Sequence, residues 1–266
     1  MRKYGTLLLS SALAAEELCA VPGRAPALQV AHAQGVGRNS SAPIPPHAPF
    51  QPGETLDYAV AWNSFLTAAT LRLQTPEIRP FYGHTAWHFR ARAETIDPVR
   101  FLYPLDDQFD SYTDVDSLRC FQFEMYLNEK NKKETHIIRM RIDGEASQQG
   151  RPAVRVLPGT RDPLGVIFVL RTLDWARAKE TTMPVFDGRK LYDLRVRLAG
   201  TADRVSITAG EFTATKLDLQ VFEKGRELAN TRFSLWLAAD ATRTPVLIEA
   251  TLPFGTLRVE LTQARR

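Results

Sequence analysis

From Phe50 onward, apolar and polar residues exchange at nearly every step, and this period of two constrains the fold more than any other property of the chain. Leu56, Tyr58, Val60 and Trp62 share one parity; Asp57, Ala59 and Ala61 share the other. Trp87, Phe89 and Ala91 stand against His88, Arg90 and Arg92. Phe121, Phe123, Met125 and Leu127 form a third run, with Cys120, Gln122 and Glu124 expected on the opposite face. Later come Tyr192 to Leu198, Leu217 to Val221, Phe233 to Leu237, Val246 to Leu252 and Leu257 to Leu261. Such alternation belongs to antiparallel strands with one face buried and the other wet. Turn pairs such as Asp143-Gly144, Asp187-Gly188, Lys224-Gly225 and Phe254-Gly255 separate the runs. The fold class expected is mainly β: a curved antiparallel sheet, half-barrel or barrel-like sandwich of roughly a dozen strands. Strands and helices do not alternate, so a doubly wound nucleotide fold is excluded.

One helix interrupts the strands. Asp162 followed by Pro163 is an N-cap with proline at the first helical position. Leu164, Ile167, Phe168, Leu170, Arg171 and Trp175 continue at helical spacing to about Ala178. The helix divides the strands into groups at about 50–157 and 185–264. It either crosses over as plain core or lies as a lid against a curved sheet. Arg171, a cation among apolar neighbours, needs a partner; a strand aspartate is expected.

The chain divides into 1–33, 34–49 and 50–266. In the first part, Arg2 and Lys3 precede the apolar stretch Leu7-Leu8-Leu9 and small residues, the order of a secretory signal. Cleavage after Ala12-Leu13-Ala14 fits better than after Ala31-His32-Ala33, which leaves a long polar gap. A buried helix or a misassigned start is the plainer alternative. A lipidated cysteine requires small residues before it, and Cys19 follows Glu16, Glu17 and Leu18, so lipidation is rejected. The second part is a linker whose prolines, at 43, 45, 46 and 49, exclude helix and ladder strand. The third is a single all-β domain. Loss of Cys19 with the signal would leave Cys120 as a lone thiol.

Several phrases in order carry a resemblance. Pro49-Phe50-Gln51-Pro52-Gly53-Glu54-Thr55-Leu56-Asp57-Tyr58 opens the strand region, and Asp107-Gln108-Phe109-Asp110-Ser111-Tyr112-Thr113-Asp114 follows. Asp162-Pro163-Leu164 leads to Phe168-Val169-Leu170-Arg171; Trp236-Leu237-Ala238-Ala239-Asp240 and Arg243-Thr244-Pro245-Val246 come near the end. Over about 48–264 the chain resembles the bacterial family catalogued as domain of unknown function 3108. The resemblance implies a secreted, periplasmic or envelope protein of antiparallel strands, and implies no activity. That family commonly has a tyrosine-rich approach to the arginine; Val166-Ile167-Phe168 stand there instead, which argues against a polar role for this face.

Chemistry is sparse. The sequence has no phosphate-binding glycine loop, no Gly-x-Ser-x-Gly elbow and no His-Glu-x-x-His helix. His84 and His88, four apart on a strand, stand ~13 Å apart and cannot share a zinc. Asp106, Asp107, Asp110, Asp114 and Asp116 lack the glycine of a calcium loop and read as turn residues or partners of Arg100 and Arg119. Asp240 reads as a hairpin-loop acid. A net charge of +4 is too weak a field to suggest nucleic acid. No cofactor and no metal are expected.

Two functional classes follow. The first is a non-catalytic exported envelope protein, membrane-peripheral at most, binding a lipid or other apolar ligand, or an envelope protein partner. Its candidate binding residues are Arg171, Phe168, Ile167, Trp175, Trp62 and Trp87. The second is a hydrolase acting on an envelope polymer through dispersed carboxylates such as Asp107, Asp110 and Asp240; a structural interaction module is a third alternative. An enzyme requires converging carboxylates or a His–acid pair in a polar cleft, whereas a carrier requires an apolar cavity. Cell fractionation with N-terminal sequencing tests export: the mature chain should start beyond residue 14, and an intact Met1 on a cytoplasmic product would refute it.

Overall fold

The alternation resolves into one continuous sheet. The computed structural model describes residues 48–63, 66–130, 132–253 and 255–266. The expected signal and nearly all of the expected linker lie outside the described residues. The first strand group is β1 (Glu54–Trp62), β2 (Leu66–Phe81), β3 (His84–Thr95), β4 (Asp106–Asp114), β5 (Cys120–Glu129), β6 (Lys132–Met140), β7 (Glu145–Gln148) and β8 (Val154–Arg155). The second is β9 (Glu180–Phe186), β10 (Leu191–Ile207), β11 (Gly210–Glu223), β12 (Arg226–Ala238), β13 (Pro245–Leu252) and β14 (Gly255–Arg265). A short helix, α1 (Val99–Leu102), precedes β4, and α2 (Pro163–Thr172) joins the groups. Where one helix was expected, two occur among the described residues.

The fourteen strands run in the order β8-β7-β6-β5-β4-β3-β2-β1-β14-β13-β12-β11-β10-β9. The chain therefore starts at mid-sheet, winds out to one edge, crosses through α2, and returns from the other edge until β14 pairs with β1. A sheet this wide cannot stay open without exposing its apolar face, and it curls. The curl brings the two ends together. A Cβ on Gly188, in the β9–β10 turn, would stand 2.8 Å from Ile138 Cδ1 of β6. Arg161, just before α2, forms a parallel bridge with Val185 of β9, and its Nη2 donates to the Ser117 carbonyl at 2.7 Å. This segment masks the ladder groups that edge strand β9 would otherwise present.

α2 begins as its sequence predicts. Asp162 accepts the Gly165 N–H at 2.8 Å, and proline follows at the first position. It ends six residues earlier than expected, at Thr172. Leu173 is extended, and Arg243 Nη1 donates to the carbonyls of Arg171, Thr172 and Leu173 at 3.1, 3.1 and 2.9 Å. An arginine from the β12–β13 loop thus satisfies carbonyls that further helix would have used.

Arg171 is fully buried, and its partner is a glutamate of the first strand, not an aspartate. Its Nη1 and Nη2 lie 2.6 and 2.9 Å from the Glu54 carboxylate, the bidentate geometry of a strong pair. Nη2 also donates to the Thr242 carbonyl at 3.0 Å, and Arg266 Nε stands 3.3 Å from Glu54 Oε1. One cation thereby ties α2 to β1 and to the β12–β13 loop.

A second correction concerns β5. The register slips between Tyr112 and Thr113 of β4, which pair with Gln122 and Cys120. One extra residue on β5 reverses its parity. Cys120 turns into the core beside Phe123, while Phe121 lies outside, stacked 4.9 Å from His84 and 6.5 Å from Phe81. Cys120 is a free, buried thiol. Arg171→Ala should lower unfolding stability by ~3–5 kcal/mol, because the buried Glu54 carboxylate loses its two-bonded partner. Urea denaturation reads this; a loss below ~1 kcal/mol would mean that the pair anchors nothing.

Candidate functional site

α2 is buried on every side, as only a helix enclosed by its sheet can be. Phe168 lies flat on Phe89 of β3, with ring centroids 3.6 Å apart and planes inclined by 8°. Phe50 meets Trp87, Phe89 and Phe168 edge-on at 5.0 to 5.4 Å. That side of the helix is solid core. Pro163, Val166, Ile167 and Leu170, at i, i+3, i+4 and i+7, share the other helical face. There packing stops short and leaves a cavity of about 110 Å³.

The facing wall is built by period two. Tyr192 and Leu194 come from β10, Leu219 and Val221 from β11, Phe233 and Leu235 from β12. Ile248 and Ala250 of β13, Leu257 and Val259 of β14, and Leu71 of β2 continue it. No charged side chain lines the cavity. A second apolar cavity, about 250 Å³, lies toward the β1–β2 end, bounded by Val60, Trp62, Leu66, Ala69, Ala93 and Val99 among others.

The six sequence candidates separate. Ile167 lines the first cavity, and Trp62, half-buried, lines the second. Phe168 and Trp87 belong to the aromatic core around Phe50. Trp175 is buried beyond the helix end, with its Nε1 donating to the Leu170 carbonyl at 2.9 Å. Arg171 is turned into the ion pair and lines neither cavity. Val166, next to Ile167 on the lid face read from the sequence, lines the cavity too; Pro163 and Leu170 were not singled out, although the i, i+3, i+4, i+7 spacing was there to find them. The Leu, Val and Ile residues of the second strand group, smaller than the Trp and Phe of the first, mark the roomier wall in the sequence but do not show which of them line the cavity.

The carboxylates named for hydrolysis do not converge. Asp107 and Asp110, three apart on one strand, project to opposite faces of β4. His88, expected to be exposed or at an edge, is buried, with Nε2 2.5 Å from Asp110 Oδ1. Arg90 donates to the same oxygen at 2.7 Å, and Gln108 donates to Oδ2 at 2.5 Å. Burial alone would raise the Asp110 pKa, but these donors outweigh it and hold it below the ordinary range. Asp240 accepts the Thr242 N–H and hydroxyl at 2.9 and 2.5 Å, the expected loop chemistry. Arg100 grips Asp106 through both nitrogens, at 2.7 and 2.9 Å. No group of three or more metal-ligating side chains occurs among the described residues.

Comparison with known proteins agrees with this architecture. Residues 57–262 match the family described as "Protein of unknown function (DUF3108)". No curated protein matches the chain. A beta-barrel-like protein of domain of unknown function DUF1849 from Brucella abortus is similar in structure, with a TM-score of 0.54 at 14% identity, over 80% of this chain and 97% of that one. A lipoprotein candidate from Parabacteroides distasonis aligns over 81% of this chain and 96% of its own, with a TM-score of 0.37 at 9% identity. An exported-protein candidate with a YmcC-like fold from Bacteroides fragilis aligns over 85% and 100%, with a TM-score of 0.34 at 10% identity. The first similarity shows the fold; the other two are too loose to bear on it.

Asp107 differs from Asp110 and Asp240 in the direction of its shift. Burial pushes its pKa up to about 7 against the one N–H it accepts, from Asn128, and Glu129 and Asp106 push the same way. Its Oδ2 is buried with no hydrogen-bond partner among the described residues. The folded chain therefore keeps a proton that the unfolded chain, with an ordinary carboxylate pKa of ~3.9, has lost. Stability should fall as pH rises from about 4 to about 7 and then level. Asp107→Asn should flatten that slope in denaturation midpoints measured across the range; an unchanged slope would clear Asp107 of it.

Proposed function

The chain belongs to the DUF3108 family, and from that premise we propose that it is a non-catalytic, exported envelope protein that binds an apolar ligand inside its curled sheet. The observation that carries the reading is the cavity beneath α2. Well-packed interiors leave few voids, and an apolar void of this kind stays dry and accepts apolar guests. At about 110 Å³ it approaches the ~150 Å³ that holds a benzene ring. Leu219, Phe233 and Ile248 in its wall are only partly buried, which supports a route from solvent on the β11–β13 side. The cationic, apolar, small-residue order of residues 1–15 supports export.

The hydrolase reading has less support. The His88–Asp110 pair has both carboxylate oxygens occupied by neighbouring donors on the outer face, and no nucleophile stands beside it in the hydrogen bonds described. A protein-interaction role for the exposed Phe101 and Leu102 of α1 is compatible with ligand binding and does not replace it.

A toluene titration followed by NMR tests the proposal on the folded domain. Shifts should concentrate on Val166, Ile167, Leu235 and Val259. Ile167→Phe, which fills the cavity, should weaken binding at least tenfold, with a thermal midpoint equal to or above that of the parent. Absence of any saturable shift in well-folded protein would overturn the reading.

A further inference from the structure

The cavity under α2 is too small for a lipid tail, and the cavity beside it is not independent. We infer that the two are limbs of one channel for a single long, unbranched acyl chain, divided at Leu257. The inference rests on the apolar-ligand reading and specifies its ligand class.

Leu257 lines both cavities. It pairs with Trp62 of β1 on one side, in the second limb, and with Ala250 of β13 on the other, in the first. The limbs meet again one row away, where Val60 of the second pairs with Val259 of the first. On β2 the second limb's Ala69 and the first limb's Leu71 are two residues apart, ~7 Å along the strand. The boundary is thus a single layer of aliphatic side chains. Leucine changes rotamer without breaking a backbone hydrogen bond, so joining the limbs requires no change in sheet pairing.

Volume and chemistry select the ligand. One limb of about 110 Å³ takes a ring or a few methylenes; with the adjoining 250 Å³ there is room for a chain. The second limb is lined by Ala69 and Ala93, whose short side chains leave room beside Trp62 and Leu105. Neither lining contains a charged residue, which excludes a headgroup from the interior. The second limb reaches solvent beside α1: Leu66 is exposed, and Trp62, Val99 and Tyr103 are partly so. On the same helix Phe101 and Leu102 are 87% and 76% exposed. Apolar residues displayed at the opening of an apolar channel suit tail-first entry, with the polar end left at the rim.

The test uses Ala69→Leu, which narrows the second limb at a residue that does not line the first. Binding of hexanoate, hexadecanoate and toluene is measured on parent and variant by calorimetry. In the parent, affinity should rise with chain length through sixteen carbons; in the variant, hexadecanoate should weaken at least tenfold while toluene binding stays unchanged. Equal hexadecanoate affinity in both proteins, with toluene still bound, would overturn the channel and leave the proposed function standing. No binding of any probe by the parent would overturn both. Should Ala69→Leu fail to fold, hexadecanoate brominated near its middle decides on the natural chain: once bound, it should quench the fluorescence component that Trp62→Phe removes. A bound brominated chain that leaves this component intact would overturn the channel.

Discussion

Glu54 and Arg171 lie 117 residues apart in sequence and form a fully buried, two-bonded ion pair. Around it the rest of the molecule is arranged. Glu54 opens β1, the strand that zips the two halves of the sheet together, and Arg171 lies in the last turn of the helix that the halves enclose. Buried charge is costly unless it is paired and hydrogen-bonded, so these two residues tolerate few alternative arrangements. The guanidinium also takes the Thr242 carbonyl and sits over the Phe50 ring at 5.2 Å. Helix, first strand and a distant hairpin loop are thereby brought to one point.

With one end of α2 held by this pair and the other by the Asp162 cap, the helix cannot settle symmetrically between the walls. Asp162 accepts the Ser111 hydroxyl at 2.6 Å, which draws the N-terminus to β4. Phe168 stacking on Phe89 holds the middle against β3. The Asp162 anchor and the aromatic stack pull toward the first strand group, while the Arg171 end is shared between β1 and the β12–β13 loop. The cavity opens on the side left behind, against β10 to β14. The void is therefore the geometric complement of the anchoring, and no special residue is needed to create it.

Much of this was legible along the chain. Period two located the strands because antiparallel pairing with one wet face imposes it, and Asp162-Pro163 marked the helix start because capping is a local interaction. The features that escaped are non-local. The helix stops at Thr172 because Arg243, from another hairpin, takes its last carbonyls. Phe121 faces outward because the β4–β5 ladder slips by one residue, which a run of alternating residues read alone does not reveal. His88 is buried because Asp110 on the neighbouring strand holds it.

The sequence by itself determined the class of fold, the two strand groups, the helix between them and the need of Arg171 for a partner. Each of these is written in spacing, charge or cap chemistry within a few residues. Tertiary structure alone decided that the partner is Glu54, that β14 closes on β1, and that Ile167 and Trp62 line voids while Phe168 and Trp87 fill core. The physical reason is that an aliphatic or aromatic residue carries the same pattern whether its neighbour is packed or missing. Packing is a property of pairs brought together from distant strands, and only the closed curl of the sheet chooses those pairs.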